Sequence, residues 1–336
     1  MAELCDRLDI TVEELEERLG AKKLSEFITE SEELFLSRID SIVDEVIKDG
    51  RKKAIFISGP TSSGKTTFTM RLSQGLNRRG KKASFLSLDD YYKMADLTFD
   101  EDGRPDFETI EALDIDRIVR DVNGIIAGEK VIPPIFDFNI RRPMEGDESR
   151  AIKLPDDGIL VVEGLHGLSP RISGGVDSSL CTKVFIMPFG GVYRDAKVLD
   201  KAEIRMLRRI VRDNRHRASH ALATIDYWPM IRRTEQDYYE TYLKMADYHV
   251  NSFLAYEPLV IAPMATSDIQ TALKMAEEGT LPPNVFMERS NTGKPFADLD
   301  YAIEKAGKLL KHISEIPPIN PSWVPEASIL NEFISS

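Results

Sequence analysis

The stretch GPTSSGKTTF at residues 59–68 has the spacing of a phosphate-binding loop, G-x-x-x-x-G-K-[ST]. An apolar run precedes it and a helix-compatible run follows it, which is the context that this motif requires. In such a loop the backbone N–H groups turn toward phosphate oxygens, the lysine reaches the β and γ phosphates, and the final hydroxyl ligates Mg²⁺. A glycine- and serine-rich turn that only starts a helix is the weaker alternative. The residues predicted to contact a nucleotide are Gly59, Thr61, Ser62, Ser63, Gly64, Lys65, Thr66 and Thr67.

Two further stretches place carboxylates at the ends of predicted strands. FLSLDDYYK brings Asp89 and Asp90, and the run ILVVEGLHGL contains Glu163 at the end of its apolar part. A carboxylate beside the loop could accept the proton of an acceptor hydroxyl or hold a metal-bound water. A solvated pair of turn acids is the alternative for Asp89 and Asp90.

Two common classes of nucleotide hydrolase fit these stretches less well than a kinase does. A motor or AAA-type ATPase usually has Asp-Glu or Asp-Asp where this chain has a single Glu163. A regulatory GTPase needs a guanine-reading Asn-Lys-x-Asp stretch, and the sequence contains none. A kinase needs a base and an acceptor pocket close to the γ-phosphate.

An arginine-rich run, KAEIRMLRRIVRDNRHRA, reverses the acidic character of the chain locally. Its basic residues recur at helical spacings of three and four, and few acids lie one turn away to pair with them. One interpretation is a solvated helix face of little energetic consequence. The other is a lid whose arginines stabilise the charge of the transferred phosphoryl group and exclude water.

Short β-rich runs alternate with segments long enough for crossover helices. Their continuous apolarity suits strands that are covered on both faces. The sequence therefore predicts an α/β fold with a doubly wound parallel sheet and flanking helices, whose ligands bind at the carboxyl ends of the strands. The predicted strands are AIFIS (54–58), ASFLSL (83–88), ILVVE (159–163), KVFIM (183–187) and PLVIA (258–262).

Helical segments are predicted at both ends of the chain. Thr11 with Glu14, and Thr29 with Glu32, form capping-box patterns, so residues 1–50 should be an N-terminal helical extension that ends at Asp49 and Gly50. Further helices are expected near 268–278 and 298–313 and at the C-terminus. The predicted organisation is an extension at 1–50, a core at 51–263 with the lid at about 200–220, and a C-terminal helical extension at 264–336 packed on the core.

Composition narrows the class of protein. The chain has 336 residues, 42% of them hydrophobic, and a formal net charge of -12, which argues against broad attraction to nucleic acid or anionic lipid. Cys5 and Cys181 cannot form a disulfide framework or a four-ligand zinc site. No apolar run approaches the roughly 18 residues of a membrane span. We therefore expect a soluble cytoplasmic protein with neither nucleic acid nor membrane as a partner.

Taken together, the motifs resemble the uridine/cytidine kinases of the phosphoribulokinase/uridine kinase family of P-loop enzymes. The matching stretches, in family order, are GPTSSGKTTF, LDDYY, RPDFETIEALD, IPPIFDFNIRRP, VVEGLHGL and RMLRRIVRDNRHRA. WPMIRRTEQDYY, ADYHVNSFLAYEPLVI and VPEASILNEFI are similar to a longer bacterial-type branch. The resemblance implies a P-loop NTPase-like fold, ATP and Mg²⁺ as cofactors, and transfer of the γ-phosphoryl group to the 5′-hydroxyl of uridine or cytidine in nucleotide salvage.

The resemblance also implies a role for particular residues. Asp89 faces the nucleoside 5′-hydroxyl as base or positioning group, and Asp106 holds the ribose. Animal-type enzymes have a histidine that reads the pyrimidine edge where this chain has Arg141, so the base that this chain prefers stays open. The implied catalytic residues are Lys65, Asp89, Arg208 and Arg212, and Arg217 is implied to bind the donor together with the loop. The residues implied to contact the acceptor are Asp106, Tyr92, Phe136, Phe138, Arg141 and Arg205. The residues implied to hold the metal are Thr66, Glu163 and Asp89.

Two alternatives stay open at this point. One is a kinase of another small hydroxylated acceptor, such as another nucleoside, a sugar phosphate or a pantothenate-like molecule. The other is a nucleotide-binding regulator without catalysis, against which the intact set of Lys65, Thr66, Asp89 and Glu163 speaks. The expected partner is a small-molecule nucleoside, and the chain could form a homo-oligomer. Histidines, including His166, are expected in supporting or surface positions.

Overall fold

The computed structural model describes residues 7–94, 96–137 and 142–335. Its strands are β1 (Leu8–Thr11), β2 (Ala54–Ser58), β3 (Ala83–Ser87), β4 (Ile135–Asp137), β5 (Arg142–Met144), β6 (Ile159–Glu163), β7 (Cys181–Met187), β8 (Gly190–Tyr193), β9 (Lys197–Leu199) and β10 (Tyr248–Asn251). Its α-helices are α1 (Val12–Glu17), α2 (Ala21–Asp49), α3 (Lys65–Arg78), α4 (Ile115–Ile126), α5 (Pro170–Ser173), α6 (Lys201–His216), α7 (Ala221–Met245), α8 (Pro258–Glu277), α9 (Leu299–Ile313) and α10 (Asn331–Ile334).

Five parallel strands form the central sheet in the order β10-β7-β2-β6-β3. Successive side chains of β2 belong to different cores. Ile55 and Ile57 pack with α2, α3, α6 and α8, whereas Ala54 and Phe56 pack with α4 and α5. This confirms the predicted α/β fold, in which helices cover both faces of a parallel sheet. It also brings the carboxyl ends of β2, β6 and β3 to one edge, where the polar motifs lie.

One predicted strand is wrong. The run PLVIA at residues 258–262 begins helix α8, and the fifth strand is β10, ten residues earlier. Pro258 occupies the first turn of α8, where a missing N–H is tolerated. A short run that is buried on all sides has the same apolarity in a strand and in a helix, so its pattern could not separate the two.

The N-terminal segment mixes a strand with helices. β1 pairs in parallel with β8, so residues 1–50 are not wholly helical. The capping box at Thr11 and Glu14 is confirmed. The second one is wrong, because Thr29 lies inside the unbroken helix α2 and its hydroxyl donates to the Ser25 carbonyl oxygen. Helix α2 ends at Asp49 as predicted, with Gly50 in the left-handed region at φ 66°.

The remaining helices extend the core at the C-terminal side. α8 is longer than the predicted 268–278, and α9 agrees with its prediction to one residue. Cys181 is buried, as expected of a core residue. Within the described ranges no helix is both long and apolar enough to cross a membrane. The division of the chain at 50 and 263 stays a prediction.

Candidate active site

The phosphate loop leaves the fully buried strand β2 and enters α3 in a strained conformation. Ser62 and Gly64 both have positive φ, 56° and 87°. At Gly64 this conformation is unstrained only for glycine, and at Gly59 a Cβ would lie 2.1 Å from the Ile186 carbonyl oxygen of β7. The two motif glycines are therefore explained by backbone conformation at one position and by close packing on the sheet at the other.

Unpartnered polar groups line this loop. The hydroxyls of Ser62 and Ser63 are buried and have no hydrogen-bond partner among the described residues. The Lys65 ammonium group donates to the Pro60 carbonyl oxygen at 3.1 Å, so it is folded over its own loop. Buried hydroxyls without partners are costly, and phosphate oxygens would satisfy them. The residues present therefore fit the phosphates of a nucleoside triphosphate.

Two carboxylates lie at the neighbouring strand ends. Glu163, the last residue of β6, pairs in register with Ile57 of β2 and Ser87 of β3. Burial raises the pKa of Glu163 to about 7; the negative charges of Asp89 and Glu332 act in the same direction, and Lys65 opposes them. Glu163, Asp89 and the hydroxyl of Thr66 fit Mg²⁺, which binds through one or two carboxylates, phosphate oxygens and retained waters.

Asp89 lies in a 3-10 turn directly after β3. Asp89 is exposed to solvent as a residue, and partial desolvation of its carboxylate is the main reason that its pKa is raised. Asp90 and Glu108 raise that pKa further, whereas Lys65 and Arg217 lower it. Asp90 itself forms an ion pair with Arg150. Of the two adjacent acids, Asp89 is therefore the one that faces the phosphate loop.

A cavity of about 220 Å³ lies next to the segment that follows β6, with His166 and Ser169 in its lining; Asp89 and Glu163 do not line it. Asp106 lies in its wall, accepts a hydrogen bond from the Glu108 N–H at 2.9 Å and has its pKa raised by burial. Burial and the charges of Asp89, Glu108 and Asp106 raise the pKa of Tyr92, so these three acids lie around one ring. The cavity is lined by Asp106, Thr109, Ile110, His166, Ser169, Arg171, Thr234, Asp237, Tyr238, Thr241 and Tyr242.

The aromatic residues predicted to flank an acceptor are only partly described. Phe136 lies in β4, and its ring centroid is 5.5 Å from that of Tyr92. Phe138 and Arg141 lie outside the described residues. Three polar residues of α7 line the cavity, Thr234, Asp237 and Thr241, and the sequence analysis did not predict them. Thr234 and Asp237 belong to the stretch WPMIRRTEQDYY and are three residues apart, a spacing that places two side chains on one helix face and that could have indicated them.

His166 is a buried wall residue rather than a surface one. Its Nε2 lies 2.7 Å from the Glu108 carbonyl oxygen and its Nδ1 lies 2.8 Å from the Tyr242 hydroxyl. This pairing is satisfied by the neutral ring with the proton on Nε2. Burial lowers the pKa of His166 to about 4, so the ring stays neutral well below physiological pH.

The buried neutral His166 should make stability fall as pH falls. The unfolded chain binds a proton near pH 6.5 and the folded chain only near pH 4, so between those values the unfolded state is favoured as acid is added. We expect the free energy of unfolding of the wild type to fall by up to about 1.4 kcal/mol per pH unit relative to His166→Gln. Chemical denaturation at a series of pH values measures the difference. The exposed His216→Gln is the control, and parallel curves for wild type and His166→Gln would contradict the assignment.

The first arginines of α6 hold the phosphate loop from behind. Arg205 donates from Nε to the Thr61 carbonyl oxygen at 3.0 Å and pairs with Glu235. Arg208 is fully buried and donates from Nη1 to the Ser62 carbonyl oxygen at 3.3 Å. It also forms a bidentate salt bridge with Glu257. The carbonyl oxygens of Thr61 and Ser62 are therefore held toward α6.

These contacts correct three predictions made from the sequence. The solvated-face interpretation of the arginine run is wrong for Arg205 and Arg208. The predicted contact of Arg208 with the triphosphate and the predicted contact of Arg205 with the acceptor are also wrong. The N–H donors of both arginines are already bonded to buried acids and loop carbonyls. The partner acids, Glu235 and Glu257, lie 30 and 49 residues away in sequence, where helical spacing gives no signal.

The later arginines of the run share the buried Asp213. Arg209 bonds to the Thr61 hydroxyl at 2.8 Å and lies over the Phe286 ring. Burial lowers the pKa of Arg212 to about 10, and the charges of Arg217 and Arg209 add to this, so Arg212 is still charged at neutral pH. The side chain of Arg217 is 50% exposed. Arg212 and Arg217 stay the predicted phosphate contacts, whereas Arg209 is buried and bonded to Asp213 and Thr61, in the same way as Arg205 and Arg208 are held.

Comparison with known proteins adds three findings. Residues 54–254 match the sequence model of the Phosphoribulokinase / Uridine kinase family, which covers more than half of the chain. Uridine kinases of Macrococcus caseolyticus and Staphylococcus haemolyticus are each 26% identical over 195 residues, which is 57% of this chain and 84% of theirs. A solved structure described as a possible uridine kinase from Bacillus stearothermophilus is 18% identical, with a TM-score of 0.40 over 63% of this chain and 97% of that one.

Proposed function

The chain belongs to the phosphoribulokinase/uridine kinase family, and from that premise we propose that it transfers the γ-phosphoryl group of ATP to the 5′-hydroxyl of a pyrimidine nucleoside, uridine or cytidine. The observation that carries the proposal is the meeting of three parts at one sheet edge. They are a phosphate loop with unpartnered buried hydroxyls, the acids Asp89 and Glu163, and a polar cavity with Asp106 in its wall.

In the proposed reaction the donor lies on the loop and the acceptor in the cavity. The loop amides and Lys65 bind the β and γ phosphates. Thr66 and Glu163 would hold Mg²⁺, which would supply neutralisation of the phosphate charge. Asp89 orients the acceptor hydroxyl and takes its proton as the oxygen bonds to the γ phosphorus; the bond from that phosphorus to the β–γ bridging oxygen breaks and ADP leaves.

The raised pKa of Asp89 suits this role. A carboxylate of ordinary acidity is a weak base, and desolvation in the cleft together with Asp90 and Glu108 makes it a stronger one. In the proposal, Arg212 of α6 and Arg217 at its end stabilise the charge that spreads over the phosphoryl oxygens. Asp106 can accept hydrogen bonds from two adjacent ribose hydroxyls at once.

A panel of acceptors tests the proposal directly. Purified protein is offered ATP, Mg²⁺ and, one at a time, uridine, cytidine, adenosine, guanosine, sugar phosphates and pantothenate, and ADP release is measured. We expect ADP release above the ATP-only control with uridine or cytidine. Turnover only with a sugar phosphate or pantothenate would replace the pyrimidine nucleoside as acceptor.

The rival regulator makes a different prediction in the same panel, namely ATP binding without ADP release for any acceptor. The proposed cellular setting is the cytoplasm, as expected for nucleotide salvage. Self-association into a homo-oligomer is also proposed, and sedimentation of the purified chain tests it.

A further inference from the structure

The last residues of the described chain lie against the phosphate loop. This segment, residues 325–335, is here called the C-terminal strap. Ile329, Leu330 and Phe333 are each fully buried. Ile329 packs so closely on Gly64 that a Cβ at that glycine would lie 2.3 Å from the Ile329 Cδ1 atom. Phe333 packs under the guanidinium group of Arg208 at 4.9 Å. The strap is therefore a firmly packed wall of the donor site.

Glu332 points from this strap into the phosphate site. A carboxylate oxygen of Glu332 accepts a hydrogen bond from the Thr67 N–H at 3.1 Å. That N–H lies in the first turn of the 14-residue helix α3, where amides that follow the loop lysine bind phosphate oxygens. The charge of Glu332 also reaches two other site residues. It raises the pKa of Glu163 in the same direction as burial, and it raises the pKa of Arg212 against the burial that lowers it.

A phosphate group and Glu332 therefore compete for the same donor. Two anions on one N–H would lie within a few ångströms of each other and would repel. The unpartnered hydroxyls of Ser62 and Ser63 lie in the same loop, so phosphate oxygens could accept hydrogen bonds from them as well. The partly buried Glu332 side chain can turn away while the strap stays packed.

Resting on the proposed kinase function, we propose that Glu332 is a donor-site residue that takes the place of a phosphate group on the Thr67 amide and is displaced when ATP binds. The negative charge of the Glu332 carboxylate lowers the affinity of the loop for ATP and for ADP. It thereby sets the donor concentration at which the enzyme works and favours release of ADP after transfer.

The variant Glu332→Gln isolates the charge. Glutamine keeps a carbonyl oxygen that accepts from the Thr67 N–H, so the end of α3 stays capped while the repulsion is lost. Glu326→Gln is the matched control, because Glu326 is an exposed carboxylate of the same strap. Dissociation constants for ATP and for ADP, each with Mg²⁺ and no acceptor, are measured by titration calorimetry. Tripolyphosphate is the third ligand, because it presents phosphates without base or ribose.

We expect Glu332→Gln to bind all three ligands more tightly, on the order of tenfold, with Glu326→Gln unchanged. Unchanged or weaker ATP binding by Glu332→Gln overturns the proposal, and weaker binding would make Glu332 a favourable donor contact instead. A gain for ATP without a gain for tripolyphosphate also overturns it, since the competition would then involve the nucleoside part. If the wild type binds ATP and transfers nothing, the proposed function is wrong. The proposal for Glu332 is then still tested by the dissociation constants alone.

Discussion

Asp89→Asn should lower kcat by a factor on the order of 10² or more, with ATP affinity retained. Asparagine has the same shape as aspartate and cannot take the proton of the acceptor hydroxyl. The raised pKa of Asp89 gives the wild-type carboxylate the basicity that the variant lacks. Steady-state kinetics with saturating uridine or cytidine measures kcat, and calorimetric titration measures ATP binding.

Asp90→Asn is the matched control for this prediction. Asp90 pairs with Arg150, so its loss should disturb that ion pair and leave the proton transfer in place. If Asp90→Asn lost activity and Asp89→Asn kept it, the wrong acid of the pair has been assigned. The Mg²⁺ dependence adds a second test: a larger Mg²⁺ requirement in Asp89→Asn, with kcat restored at high Mg²⁺, would place Asp89 on the metal rather than on the acceptor.

Lys65→Ala should abolish transfer. In the proposed reaction the ammonium group of Lys65 is the loop cation that stabilises the phosphoryl charge from donor to transition state, and no other residue of the motif is a cation. The same charge lowers the pKa values of Asp89 and Glu163, so its removal also favours protonation of both acids. ADP release with the best acceptor of the panel, compared with wild type, measures the loss.

Lys308→Ala serves as the control for removal of a lysine. Lys308 lies on the exposed side of α9, where it pairs with Glu304 one turn away, and its loss should leave turnover unchanged. Thermal unfolding of both variants shows that they are folded. Turnover of Lys65→Ala at the wild-type rate would contradict the assignment of residues 59–66 as the donor site.

Features that depend on neighbouring residues in sequence could be predicted well. The loop motif lies between β2 and α3 as expected, and four of the five predicted strands are present. Asp89 and Glu163 end neighbouring strands, because parallel strands bring their carboxyl ends to one edge of a sheet. The capping box at Thr11 could be predicted because its hydrogen bonds join residues that are only three apart in sequence, and it is confirmed.

Features that depend on distant residues could not be predicted. The prediction of a helix at the arginine run is confirmed. The prediction of a lid is wrong for Arg205 and Arg208, since they form ion pairs with acids of α7 and of the loop before α8. The lining of the cavity by Thr234 and Asp237 depends on how α7 crosses the sheet. A buried apolar run such as PLVIA is equally suited to a strand and to a helix, and the neighbours that choose between them are not local.

The sequence by itself determined the phosphate loop of this protein, because this loop is a local structure: its glycines, its lysine and the helix behind them are adjacent in the chain. The tertiary structure alone decided what surrounds that loop. Glu332 reaches the Thr67 amide from 265 residues away, and Glu257 anchors Arg208 from 49 residues away. Contacts of this kind arise from the packing of whole elements on both faces of the sheet, and spacing along the chain carries no record of them.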